Sequence, residues 1–125
     1  MTLYTISTQS NQITIGQDAL VADSCTWEDT NSVLTGTGQA GSIGFNDDNS
    51  FGASVLLSGT VISGFETGVL KTSGDLTMNN GASFTAGDNG FAVSTSGIDV
   101  SAEGITVDGG ATGTGMNVVD SNSLT

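Results

Sequence analysis

The chain has 125 residues, 13 acids against a single base, Lys71, no His, no Pro, and a formal net charge of −12. That length suits one domain with its own core, residues 1–125, and not two. The charge excludes binding to nucleic acid or anionic lipid, which rests on Lys and Arg. Without His there is no Ser-His-Asp or Cys-His catalytic site and no His-containing zinc site. No apolar run approaches the roughly 20 residues that span a bilayer, and no charged segment followed by an apolar one opens the chain as a secretory signal. One cysteine, Cys25, allows no internal disulfide and reads as a small buried hydrophobe beside Trp27.

Short runs in which apolar and small polar residues alternate follow one another from end to end. In chain order their inward candidates are Tyr4/Ile6, Ile13/Ile15, Leu20/Ala22, Cys25/Trp27, Leu34, Ile43/Phe45, Phe51, Val55/Leu57, Ile62, Leu70/Thr72, Leu76/Met78, Phe84/Ala86, Phe91/Val93, Ile98/Val100, Ile105/Val107 and Met116/Val118. At a step of about 21 residues these fall into three columns. The first holds Ile13/Ile15, Leu34, Val55/Leu57, Leu76/Met78 and Ile98/Val100. The second holds Leu20/Ala22, Ile43/Phe45, Ile62, Phe84/Ala86 and Ile105/Val107, and the third holds the remainder.

Three short strands per repeat describe a three-sided coil stacked on itself, an all-β parallel solenoid of about six coils of about 21 residues. In the stretch 90–110, "FAV", "IDV" and "ITV" are the three sides of one coil, with Gly at the corners. Nineteen Gly and no Pro suit a chain that turns often yet needs every strand N–H for pairing. An antiparallel sandwich, which also has many short strands at regular spacing, is the competing architecture. In "GVLKT", Leu70 is expected to face inward and Lys71 to reach water, because an unpaired buried ammonium is costly.

This pattern resembles the parallel β-helix superfamily of secreted lyases, adhesins and tail fibres. The phrase "GFETGV", residues 64–69, is similar to the turn-strand phrasing of right-handed members. The resemblance implies a secreted, extracellular protein, a structural or adhesive role and, for its calcium-binding repeat members, calcium as a ligand. The nonapeptide of those members is half matched by "GGATGTGMN" at 109–117, where Thr112 and Thr114 replace Gly and Asp.

Catalytic motifs are lacking. "GTGQAG" at 36–41 has dinucleotide-site spacing, but the "SIGFNDDN" that follows cannot open the helix such a site needs. Carboxylates (Glu28/Asp29, Asp47/Asp48, Glu66, Asp75) are the only catalytic material, and no enzyme is expected. Asp23, Asp47, Asp48, Glu66, Asp88 and Asp108 fall at one corner of the predicted coils, where stacking about 4.8 Å apart would favour a shared calcium ion. Thr14, Thr35 and Thr77 form an expected outward ladder, similar to ice-binding solenoid faces. Tyr4, Ile6, Ile13 and Ile15 on the first coil, with Met116 and Val118 on the last, are expected to join copies head to tail into a filament, a homopolymer with an axial repeat near ~28 Å. The alternative is a calcium-stabilised module that binds ice or carbohydrate.

Overall fold

The computed structural model describes residues 4–9, 12–15, 20–21, 25–47, 54–119 and 123–125, with side chains from residue 26 onward. The described residues contain no helix. Sixteen strands follow in order: β1 (Tyr4–Gln9), β2 (Gln12–Ile15), β3 (Leu20–Val21), β4 (Cys25–Thr30), β5 (Val33–Gly36), β6 (Ile43–Asp47), β7 (Val55–Ser58), β8 (Val61–Ser63), β9 (Thr67–Lys71), β10 (Asp75–Asn79), β11 (Ser83–Thr85), β12 (Phe91–Ser96), β13 (Asp99–Ala102), β14 (Thr106–Asp108), β15 (Thr114–Val119) and β16 (Ser123–Leu124).

Each strand pairs in parallel with the strands three before and three after it, which gives three sheets. Sheet A runs β1-β4-β7-β10-β13-β16, sheet B runs β2-β5-β8-β11-β14, and sheet C runs β3-β6-β9-β12-β15. The molecule is a three-sided parallel β-solenoid, and the antiparallel sandwich is excluded. Five coils carry three strands each and β16 opens another, so complete coils are fewer than the six expected; a coil averages about 24 residues rather than 21.

One long coil shifts the expected columns, and with the last two steps of sheet A, 24 residues each from Leu76 to Val100 and from Val100 to Leu124, it lengthens the average. Ile6 pairs with Trp27, 21 positions on, but Trp27 pairs with Val55, 28 positions on. Those seven extra residues equal one side of a coil. A constant 21-residue step therefore slips by one sheet in the second coil and joins Leu34 to Val55. In the structure Leu34 lies in sheet B, between Ile13 and Ile62, and Val55 lies in sheet A, between Trp27 and Leu76. Likewise Leu20 and Phe45 belong with Val69 and Val93 in sheet C, not with Ile62 and Phe84. Phe51 and Ala22 lie outside the described residues.

Alternation sets what each strand buries, since successive side chains leave opposite faces of the sheet. Trp27, Val55, Leu76 and Val100 line the interior from sheet A, Leu34, Ile62 and Phe84 from sheet B, and Phe45, Val69 and Val93 from sheet C. Trp27 meets Phe45 edge to face, with ring centroids 5.3 Å apart at 83°, which ties sheets A and C together inside one coil.

The corner between sheets A and B contains a left-handed residue in each coil where it is described: Asn31 (φ 58°), Gly59 (φ 63°), Asn80 (φ 55°), which Gly81 (φ 79°) follows, and Gly104 (φ 62°). Asn and Gly are the residues that enter this region readily. Turning in this way keeps the backbone pairing between coils intact. The Asn31 N–H donates to Ser58 O at 2.9 Å, the Gly59 N–H to Asn79 O at 3.0 Å, and the Gly81 N–H to Gly104 O at 2.9 Å.

At the corner between sheets B and C, Gly36 and Gly64 stack in direct backbone contact. A Cβ on Gly64 (φ 79°) would sit 2.3 Å from Gly36 O, whereas one on Gly97 (φ 67°) would meet nothing within 4 Å. Gly97→Ala is expected to lose about 1 kcal/mol through backbone strain alone, and Gly64→Ala about 3 kcal/mol or more. Equal losses by urea denaturation would contradict this close packing.

Candidate functional site

An ion pair lies inside the solenoid. Asp47 ends β6 and Lys71 ends β9, and the two are register partners on adjacent coils. Lys71 Nζ stands 2.5 Å from Asp47 Oδ2, with side-chain exposures of 0% and 1%. This overturns the expected register of "GVLKT": Val69 and Lys71 face the core, and Leu70 is half-buried on the outer face. Val69 fills the apolar slot between Phe45 and Val93, so two-residue alternation carries Lys71 inward, where the carboxylate of the preceding coil compensates its charge.

A second carboxylate is buried on sheet A. Asp29 shares the inward face of β4 with Trp27 and accepts hydrogen bonds from Ser32 Oγ and Thr60 Oγ1, each at 2.5 Å. Ser32 comes from the corner that follows β4, and Thr60 from the corresponding corner one coil later, so this cluster also clasps successive coils. Its inward placement was readable from parity with Trp27.

The remaining acids distribute as follows. Asp23 and Asp48 lie outside the described residues. Asp47 faces the core and is engaged by Lys71, away from the others. Glu66 and Asp88 line one cleft of about 430 Å³ at the corner between sheets B and C, with Gly38, Ala40, Gly64, Gly87 and Asn89. Asp108 stands one coil further along the same corner, where its backbone carbonyl accepts from the Ala86 N–H.

Each of these three carboxylates has a donor from the protein. Glu66 Oε2 accepts from the Gly41 N–H at 3.0 Å, Asp88 Oδ1 from Thr112 Oγ1 at 3.2 Å, and Asp108 Oδ1 from the Gly110 N–H at 2.8 Å. Among the described residues no three His, Cys, Asp or Glu side chains are grouped to hold a metal ion. Glu66 and Asp88 thus share a groove, Asp108 stands one coil beyond it, and amides and a hydroxyl bind these carboxylates.

The expected threonine ladder divides between two sheets. Thr14 and Thr35 are register partners on sheet B, where Ser63 continues the row and Thr85 follows it in the same register. Thr77 lies on sheet A, between Leu56 and Ser101.

The six residues nominated for head-to-tail contact all sit on edge strands: Tyr4 and Ile6 on β1, Ile13 and Ile15 on β2, and Met116 and Val118 on β15. Sequence reasoning missed β16, at the far edge of sheet A, with Leu124 59% exposed. At this end the core stands partly open. Ala102, Ile105, Val107 and Met116 pack on it but are only partly buried, whereas Phe84 and Val93, one coil back, are at 0%.

No protein-family model, curated protein or solved structure matches this chain.

Two outcomes follow from the polar sites. Asp47→Ala should lose about 3–5 kcal/mol, because it strands a buried ammonium, while the double variant Asp47→Leu/Lys71→Met should recover most of that. A double variant no more stable than the single one would mean that the pair is not an isolated buried couple. With its corner carboxylates bound by protein donors, the purified chain should melt at the same temperature in calcium and in chelator, and a calcium-dependent rise in calorimetry would contradict that.

Proposed function

We propose that this chain is a structural subunit that assembles end to end into an extracellular filament. The partly open apolar interior of the last coil, at Ala102, Ile105, Val107 and Met116, carries the reading. A parallel coil of matching shape covers such a surface while pairing the free strand edges around it, which is strand addition carried out on three sides at once. The first coil of a second copy, with Tyr4 and Ile6 on β1 and Ile13 and Ile15 on β2, supplies that shape. The contact is heterologous and does not close, so it propagates.

Charge placement supports the same reading. Soluble proteins commonly blunt open sheet edges with charge or Pro. In a chain of net charge −12, the edge strands β1, β2, β3, β15 and β16 contain neither, and β14, "TVD", carries one acid, Asp108. Apart from the buried Asp29 and Asp47, the other described acids lie along the flanks and corners, where like charge keeps fibres apart sideways.

A second reading, a binding module for ice or carbohydrate, draws on one observation. Among the described side chains, the outer face of sheet B carries the hydroxyl row Thr35, Ser63 and Thr85 beside Val33 and Val61, with the charge of Asp108 at one end, and Thr14 is the register partner of Thr35. Coil stacking repeats such groups about every 4.8 Å.

Electron microscopy of the purified chain separates the two. The filament reading expects thin fibres with a subunit rise of about 24 Å, five coils at about 4.8 Å each. Met116→Asp should abolish them, while Leu56→Asp on the flank of sheet A should leave them intact. Dispersed monomers that bind ice or a polysaccharide matrix would overturn the filament and favour the module.

A further inference from the structure

The inward column at the end of the sheet C strands runs Asp47, Lys71, Thr95, one residue per coil in direct register. Lys71 is the only Lys or Arg of the chain. It is fully buried, and its Nζ lies 2.5 Å from a carboxylate oxygen that is itself 1% exposed. Thr95, the next member, is 2% exposed, and its Oγ1 has no hydrogen-bond partner. A buried hydroxyl without a partner is unusual in folded proteins and calls for an explanation. Thr95 is the register neighbour of Lys71 on the next coil, and its hydroxyl is hydrogen-bonded to neither Nζ nor the Asp47 carboxylate.

We propose that Lys71 and Asp47 condense into an intramolecular amide bond that covalently joins β6 to β9. In the first step a proton passes from Nζ to Oδ2 along the contact, giving a neutral amine beside a neutral carboxylic acid. The Nζ lone pair attacks Cγ, forming the N–C bond, and the carbonyl electrons move onto oxygen. When the carbonyl re-forms, the C–OH bond breaks, and the hydroxyl leaves with one of the two nitrogen protons as water. One amine and one acid become one amide and one water; nothing is oxidised or reduced, and no co-reactant is required.

Thr95 Oγ–H, one coil beyond Lys71 and bonded to neither reactant in the resting structure, would have to turn toward the tetrahedral intermediate to relay the proton from nitrogen to the departing hydroxyl. Coil register replaces the encounter of two reactants with a fixed contact, and exclusion of water from the core disfavours hydrolysis of the product. The bond would staple two coils near the middle of the stack, where a pulled or heated solenoid would otherwise unwind.

The experiment is the intact mass of the full chain, measured under denaturing conditions after folding. The expected mass is one water below that of the sequence, with residues 47 and 71 recovered in linked peptides after digestion. Asp47→Ala and Lys71→Arg should show their full sequence masses, as controls. Thr95→Val should slow linkage about a hundredfold after refolding, the scale of a lost acid–base group. A wild-type chain that melts cooperatively, and so is folded, yet keeps its full sequence mass after prolonged incubation would overturn the proposal. An unchanged rate in Thr95→Val would overturn the role of the hydroxyl.

Discussion

The described strands pair with strands of the neighbouring coils, each within its own sheet. Stacking in parallel register is therefore the constraint on which the rest depends. It requires each coil to return to the same three directions, which is why the A–B corner repeats left-handed residues, Asn31, Gly59, Asn80 with Gly81, and Gly104, down the stack. It also places like above like, so a single inward position becomes a column. Packing inside the column then selects volume, as in Leu34, Ile62 and Phe84, and contact between successive backbones selects Gly, as at Gly36 and Gly64.

The same constraint makes polar residues tolerable in so narrow an interior. A carboxylate in one coil is next to whatever occupies the same position in the following coil, and the chain uses this twice. Asp29 is met by the hydroxyls of Ser32 and Thr60, and Asp47 by the ammonium of Lys71. Unpaired, any of these charges would be strongly destabilising. Paired, they connect consecutive coils by contacts more directional than apolar packing, which can tolerate a slip along the axis. Where the column ends, at Val118 beyond Thr95, the polar series gives way to an apolar residue on an edge strand.

A stack held together in this way ends in a surface that resembles its own cross-sections. The last coil offers parallel backbone edges and half-covered apolar side chains, and the first coil offers the complementary strand edges. The proposed filament would then need no contact of a new kind, only one more instance of the contact already made inside the chain. The flanks differ. Sheet A carries Glu28, Asp75 and Asp99 outward, while sheet B carries mainly hydroxyl and methyl groups, with Asp108 at one end, so the sides of the solenoid are chemically distinct although their backbones are alike.

The sequence by itself determined the architecture. Alternation over three to six residues, broken by Gly or Asn, recurred too regularly for a helix and too briefly for a long-stranded sheet, because strand length and corner chemistry are local properties. It also held the parity that turns Asp29 inward with Trp27 and Lys71 inward with Val69, although for Lys71 the general cost of burying an amine pointed the other way. Only the tertiary structure decided which columns were continuous, since the seven extra residues of the second coil shift the phase by one side and nothing local marks where the period resumes. It alone decided that Asp47 meets Lys71 while Glu66 and Asp88 share a groove, because such contacts join residues more than twenty positions apart, and their geometry exists only once the coils have stacked.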